Sequence, residues 1–328
     1  MNKPLIRLLS TGSYAPSTVL TNNDLAARMD TSDEWIRTRT GIRERRIATK
    51  DETTSDMAIE AARKAIQKAN LTPEDIDLVV VATVTGDYVF PASACMIQHK
   101  LGLRPVPAFD LSAACTGFIY ALHVTQSMLE SGPYRNALVI GADRYSSIVD
   151  WEDRSTCVLF GDGAGAAVLT REESQKGWRI VDSLLGASGG HTEILYVPER
   201  QADVANPTVP RSDCVQMEGK EVFKHAVRYM GSSVEELLKR NHLTAQDIRI
   251  IIPHQANERI ISALAKQWDI PIERFFMNLQ FYGNTSAASI PIAFDEFLEH
   301  YIPQVGDYSL MVAFGAGLTW GATLLRLT

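Results

Sequence analysis

Four stretches of the chain are apolar with little alternation: LVVVATV (78–84), ALVIGA (137–142), IRIIIP (248–253) and SLMVAFGA (309–316). Continuous apolar runs of this length predict strands covered on both faces. Between them the spacing turns helical, most plainly over Thr53 to Asn70, where Met57, Ala58, Ala61, Ala62, Ala65 and Ile66 share one side. Residues 5 to 9 predict the start of a further strand, and Thr21-Asn22-Asn23-Asp24 an N-cap for a helix running toward Met29. Val106 to Leu111 reads as a short buried strand. Small residues Ser112 to Ala114 follow, and then helical spacing at Phe118, Ile119, Leu122, Met128 and Leu129. Strands alternating with helices predict an α/β fold with mostly parallel sheets.

The pattern repeats. LTPEDIDLVVVATV and HLTAQDIRIIIPHQA align when Leu71 is set on Leu243, an offset of 172 residues. The same offset carries Leu138 onto Leu310 and Phe109 onto Phe281, which lays FDLSAAC over FYGNTSA. An internal duplication is the expectation, with residues 1–175 and 176–328 as its halves. It makes the loops of Cys115 and Asn284 equivalent and sets them facing each other across one cleft. Residues 186 to 214, rich in Gly, Pro and polar residues, predict a surface excursion between the halves.

The 328 residues suit two packed halves, and 45 % hydrophobic with 22 % charged residues is a globular balance. A net charge of −7 argues against a general nucleic-acid binder. Cys95, Cys115, Cys157 and Cys214 are far apart and form no CxxC pair, so neither a zinc site nor a disulfide frame is supported. No run approaches the roughly 18 apolar residues of a membrane span, and the N-terminal apolar stretch is broken by Arg7. A cytoplasmic protein with reduced thiols, bound to neither membrane nor nucleic acid, is expected.

Candidate chemistry gathers where buried strands end. Cys115 stands where a strand hands over to a helix, a place where free N–H groups and the helix dipole favour a thiolate. Its plainer role is a small apolar residue in a crowded turn. His254 in IIIPHQANERI and Asn284 in YGNTSAASIP end two further runs. Each alone suits a satisfied core histidine or a turn asparagine, but together with Cys115 they supply a nucleophile and two oxygen-directed donors. A papain-like cysteine protease has these residue types in this order, yet its C-G-[SA]-C-[WY] surround is missing and Cys115 lies far from the N-terminus. Trp35 beside Arg37, Arg39, Arg43, Arg45 and Arg46 reads as a solvated basic face or as a site for a nucleotide-bearing ligand such as coenzyme A. FGDGAGAAVL (160–169) lacks the helix that a pyrophosphate needs and predicts a tight bend into a strand. AFGAGLTWG (313–321) is a close-packed bend or the presenter of a backbone N–H to an oxyanion.

Taken together, TSDEWIRTRTGIRERR, DLSAACTGF, FGDGAGAAVL, HQANERI, GNTSAASIP and AFGAGLTWG resemble the motifs of the β-ketoacyl-acyl carrier protein synthase III family over nearly the whole chain. The resemblance implies a thiolase-type fold, a five-layered αβαβα sandwich of duplicated halves. It implies a decarboxylative Claisen condensation that starts fatty-acid synthesis, from acyl-coenzyme A and malonyl-acyl carrier protein through an acyl-cysteine, with no metal and no cofactor. Cys115 would carry the acyl group, and His254 and Asn284 would hold the malonyl thioester oxygen. The N–H groups of Cys115 and of Ala316 in the Gly315-Ala316-Gly317 bend would hold the first oxyanion. Thr31, Trp35, Arg39, Arg154 and Asn257 would bind coenzyme A, and Gln255, Ala256, Asn257, Glu258 and Arg259 the acyl carrier protein. Phe90 would close the acyl pocket of a partner in a homodimer; by residue type alone it is an ordinary core phenylalanine. Departures are Ala316, where many members have a third glycine, Thr116, where a smaller residue is common, and TGDYVF, which leaves the starter open. A synthase of a secondary product with another acyl starter is the alternative within the fold, and a catalytically silent partner subunit the one outside it.

Overall fold

The computed structural model describes residues 4–172, 175–198 and 213–328. The first half runs β1 (Arg7–Tyr14), α1 (Asp33–Thr40), α2 (Thr54–Lys68), β2 (Leu78–Ala82), α3 (Ser93–Lys100), β3 (Ala108–Leu111), α4 (Gly117–Ser131), β4 (Asn136–Arg144) and β5 (Asp162–Thr170). The second runs β6 (Trp178–Ala187), α5 (Gly219–Arg240), β7 (Ile248–Pro253), α6 (Glu258–Gln267), α7 (Ser289–His300), β8 (Tyr308–Gly315) and β9 (Thr319–Leu327). Local chemistry sets the boundaries. Thr53 and Asp56 cap α2 reciprocally, and Ser32 caps α1, which Gly41 closes at φ 85°. The Thr21 cap predicted from sequence is present, but its helix stops at Ala26. Of the 186–214 stretch, Ala187 ends β6 and Leu195–Tyr196 pairs with Gln216–Met217; residues 199–212 lie outside the described residues.

Among the described residues the main sheet has nine strands in the order β7-β8-β9-β6-β1-β5-β4-β2-β3. It is two sheets joined at a seam, because β1 and β6 meet only through Arg7 with Arg179 and Leu8 with Trp178. Helices α2 and α3 cover the outer face of the first sheet, α5 and α6 that of the second, while α4 and α7 lie between and touch both. The layers are thus αβαβα. Adjacent residues of one strand serve both faces: Val79 and Val81 pack outward with Met57 and Ala61, while Val80 packs inward with Phe118 and Phe294. Likewise Leu310 and Val312 face outward and Met311 inward. This double burial accounts for the unbroken apolar runs.

The sheets are mixed, which corrects the mostly parallel expectation. β2 is parallel to β3 and β4, and β7 to β8, but β4–β5, β1–β5, β8–β9 and β6–β9 are antiparallel. Unbroken apolarity reports that both faces are covered and carries no information about strand direction.

The duplication is written in the backbone. Turns Ala114–Thr116 and Ser286–Ala288 are equivalent under the 172-residue offset, as are the starts of α4 and α7 and of β4 and β8. So are two pairs of non-glycine residues with positive φ, Ala114 (45°) with Ser286 (52°) and Asn70 (54°) with His242 (56°). One element diverges: the counterpart of β3 is a helical turn, Leu279–Tyr282.

The Ser286–Ala288 turn packs closely on β4 because Gly141 there has no side chain. A Cβ there would lie 2.3 Å from the Ala287 carbonyl oxygen. Gly141→Ala is therefore expected to cost about 1–3 kcal/mol through forced displacement of the Ser286–Ala288 turn. Chemical denaturation of the variant beside the parent measures it.

Candidate active site

Cys115 occupies the middle of the tight turn that delivers β3 into α4 and is 5 % exposed. Its surroundings come from the other half. A Cβ on Gly315, at the end of β8, would stand 2.9 Å from the Cys115 nitrogen, so glycine there is what leaves the nucleophile's N–H uncovered. Thr116 donates through Oγ1 to the Thr319 carbonyl at 3.2 Å, and Thr319 Oγ1 lies 3.0 Å from Thr116 Oγ1 and from the Ala316 carbonyl. These bonds tie the nucleophile turn to the glycine-rich bend and give the larger Thr116 a place. Ala316 lies outside the positive-φ region, and the strained position falls on Gly317 at φ 127°, so the Ala316 Cβ is accommodated.

Asn284 is held by its backbone. Its N–H donates to Leu159 O at 2.8 Å and its carbonyl accepts from Gly161 N at 3.0 Å. FGDGAG thus does more than bend into a strand: its Gly161, with Leu159 just before it, clamps Asn284. The Asn284 Oδ1 accepts the Ser286 N–H at 2.9 Å, which fixes the amide so that Nδ2 is the group left to donate. His254 follows β7; its N–H donates to Val312 O at 2.8 Å, and Nδ1 lies 2.7 Å from Ser289 Oγ. Nε2 has no hydrogen-bond partner among the described residues. Cys115, His254 and Asn284 all line one cavity of about 540 Å³, together with Tyr145, Phe160, Phe223, Met230 and Phe314.

The electrostatics correct one expectation. Cys115 does open a helix, yet burial pushes its thiol up to about 12, and the Asp143 carboxyl adds to the rise. Enclosure of the sulfur is the largest effect, and the resting group is a thiol. Burial also holds His254 down at about 3, so its imidazole is neutral. Asp143 is wholly buried and accepts from Thr83 Oγ1, Val84 N, Thr85 Oγ1 and Ala287 N at 2.9–3.2 Å. It spans the two halves beneath the nucleophile, and burial keeps its pKa above the usual carboxylate range.

Sequence comparison matches the same elements. A family model described as 3-oxoacyl-(acyl-carrier-protein) synthase III covers residues 109–189, and its C-terminal companion covers 238–327. The β-ketoacyl-(acyl-carrier-protein) synthase III of Caldanaerobacter subterraneus subsp. tengcongensis is 51 % identical over 322 residues, 97 % of each chain. The chain belongs to the 3-oxoacyl-(acyl-carrier-protein) synthase III family. Among solved members, the Aquifex aeolicus enzyme superposes with a TM-score of 0.91 at 49 % identity, covering 98 % of this chain and 99 % of that one. The priming β-ketosynthase of the R1128 polyketide pathway also reaches 0.91, at 38 % identity, covering 99 % and 97 %.

Against this family frame, the predicted ligand contacts fall into three groups. Trp35 is half-buried on α1, with the Arg154 guanidinium 4.9 Å and that of Arg39 5.9 Å from its ring centroid. Thr31 Oγ1 is buried beside them without a partner. A planar base between Trp35 and Arg154 needs roughly 7 Å, two van der Waals spacings, so Arg154, now donating to Asp30 O at 2.6 Å, must swing to admit one. In the second group, Ala256, Asn257 and Arg259 line the cavity, Glu258 packs over Gly41, and Asn257 caps α6 while donating to Arg39 O at 3.1 Å. Gln255 departs from expectation. It is 1 % exposed, and its amide donates to Pro253 O and Phe276 O and accepts from Asn278 N and Leu279 N. Its work is internal bracing, which removes it from any carrier-protein surface. In the third, Phe90 is 84 % exposed beside Tyr88 and Val89, the opposite of a core phenylalanine.

Sequence reasoning also missed Ser286, whose N–H fixes the Asn284 amide, Ser289, which contacts His254 Nδ1, Asp143, whose buried carboxyl acts on Cys115 through its charge, and Arg45. That arginine sits in the basic run yet is fully buried. It donates to Leu20 O, Asn22 Oδ1 and Val158 O, under the segment that clamps Asn284. Applying the 172-residue offset to the turn beside Cys115 was the one signal that pointed to Ser286. Among the described residues no group of three or more His, Cys, Asp or Glu is placed to hold a metal, and no helix is long and apolar enough to cross a membrane.

Proposed function

We propose that this chain condenses an acyl-coenzyme A with malonyl-acyl carrier protein through an acyl group carried on Cys115, the priming step of fatty-acid synthesis. One observation carries the reading: a cysteine, a neutral histidine and an asparagine whose amide is fixed as a donor converge on a single cavity. In the first half-reaction Cys115 Sγ bonds to the thioester carbon, the carbon–sulfur bond to coenzyme A breaks, and the thiol proton balances the one taken by the departing sulfur. The oxyanion between these steps is held by the N–H groups of Cys115 and Ala316.

In the second, carbon dioxide leaves the malonyl group. His254 Nε2 and Asn284 Nδ2 donate to the thioester oxygen as it becomes an enolate. The enolate carbon attacks the acyl-cysteine, and Cys115 is released to take a proton from solvent. Neutral donors suit an oxygen whose charge exists only in the transition state. Residues 1–175 would supply the nucleophile and 176–328 the donors. The work is cytoplasmic. Trp35, Arg154, Arg39, Thr31 and Asn257 bind coenzyme A, and Ala256, Asn257, Glu258 and Arg259 meet the carrier protein. Phe90 and its exposed neighbours cross a homodimer interface to close the partner's acyl pocket.

Incubation with acetyl-coenzyme A and malonyl-acyl carrier protein, followed by intact-mass analysis of the carrier, tests the reading; a β-ketoacyl product supports it and unchanged carrier sinks it. The similarity to the priming β-ketosynthase of the R1128 polyketide pathway supports, as a second reading, a synthase of a secondary product, which a panel of longer acyl-coenzymes A decides. Trp35→Ala is expected to raise KM for the acyl-coenzyme A roughly tenfold through loss of stacking, with kcat little changed. Initial rates across donor concentration measure both.

A further inference from the structure

We propose that Ser289 is a positioning residue that holds His254 in the tautomer with its proton on Nε2. The inference rests on the reading above, in which His254 donates to the malonyl thioester oxygen. Ser289 is the first residue of α7 and 2 % exposed. Its Oγ lies 2.7 Å from His254 Nδ1 and receives the Gln255 N–H at 3.4 Å.

A hydroxyl that already accepts the Gln255 N–H has its own proton to place, and His254 Nδ1 is the acceptor within reach among the described residues. If Nδ1 carried the proton instead, Ser289 Oγ would face two donors, and its hydroxyl proton would be buried without an acceptor. A hydroxyl that donates to Nδ1 leaves the ring's proton on Nε2, the nitrogen without a hydrogen-bond partner among the described residues. That is the protonation state an oxygen-stabilising donor needs, and the wrong one for a base.

The duplication isolates the device. The 172-residue offset sets His254 on Ala82 and Ser289 on Gly117. In the nucleophile half that same contact is closed, since a Cβ on Gly117 would stand 2.9 Å from the Ala82 Cβ. In the donor half the two positions have become an imidazole and the hydroxyl that orients it. The pair therefore appears only in the half that must hold an enolate.

Nitrogen-15 NMR of the full-length chain labelled at its seven histidines, with the His254 ring assigned by its loss in His254→Ala, reads the tautomer directly. The wild type is expected to show a protonated Nε2 and a bare Nδ1. Ser289→Ala is expected to move the proton to Nδ1 or to a mixture and to lower kcat for condensation at least about tenfold. KM for malonyl-acyl carrier protein and acyl loading of Cys115 should stay in place, and Ser289→Thr should restore tautomer and rate. A wild-type His254 protonated on Nδ1, or Ser289→Ala with the tautomer unmoved, overturns the proposal. The expected tautomer combined with full-rate condensation by His254→Ala would instead overturn the role given to His254.

Discussion

Cys115→Ala is expected to abolish the acyl adduct and to lower condensation by at least about four orders of magnitude, while the fold survives. The argument begins with the buried thiol. A group pushed up to about 12 is protonated at neutral pH, so the sulfur is not a freely reactive thiolate and needs its substrate to be activated. Acyl transfer between two thiols exchanges one carbon–sulfur bond for another, and the proton leaving Sγ is matched by the one the coenzyme A sulfur requires. Removing Sγ removes the acceptor of that exchange, and none of the other groups lining the cavity replaces it. Intact-mass analysis with an acyl-coenzyme A should show one acyl group on the parent and none on the variant; an adduct on the variant would place the nucleophile elsewhere. The same chemistry predicts that alkylation of the resting enzyme by iodoacetamide at Cys115 accelerates toward alkaline pH, because the thiolate fraction grows with every step toward a pKa near 12.

Much of this site could be read before the fold was seen, for a reason that lies in the strands. Cys115 and His254 stand just past strand ends, and Asn284 holds the corresponding place after the helical turn that replaces a strand in the second half; all three face the cleft rather than the core. The repeat then joined two of them, because Ala114 and Ser286 repeat one strained turn in both halves. What stayed hidden was whatever depends on a partner distant in sequence. Arg45 looks like its solvated neighbours, and the carbonyls of Leu20 and Val158 with the Asn22 amide oxygen make its burial tolerable. Gln255 lies three residues before the exposed Glu258, yet four backbone groups hold it inside. Ser289 has no pattern of its own, since a serine at a helix start serves many purposes. Strand direction was equally invisible, because β5 and β9 are buried on both faces in either orientation.

His254→Ala and Asn284→Ala are each expected to lower decarboxylation and condensation by about 10²–10³-fold while leaving acyl loading of Cys115 intact. The two groups donate to an oxygen that becomes charged only when carbon dioxide departs, so their loss raises that barrier and not the earlier one. Asn284 should show the cleaner effect, since its backbone clamp on Leu159 and Gly161 does not depend on the side chain. The pH dependence separates this role from general-base catalysis. A base titrating at the ordinary histidine value would give a rate falling as pH drops through about 6.5, whereas burial holds His254 down at about 3. The decarboxylation rate should therefore show no histidine inflection near neutrality. Stability should carry the signature instead. Between about 6.5 and about 3 the unfolded chain binds a proton on His254 that the folded chain refuses, so its contribution makes folding weaken as pH falls through that window. His254→Gln, which cannot titrate, should flatten that part of the denaturation profile. A parent whose decarboxylation falls off near pH 6.5, with His254→Gln losing that inflection, would mean that the imidazole moves a proton in the cycle and is more than a fixed donor.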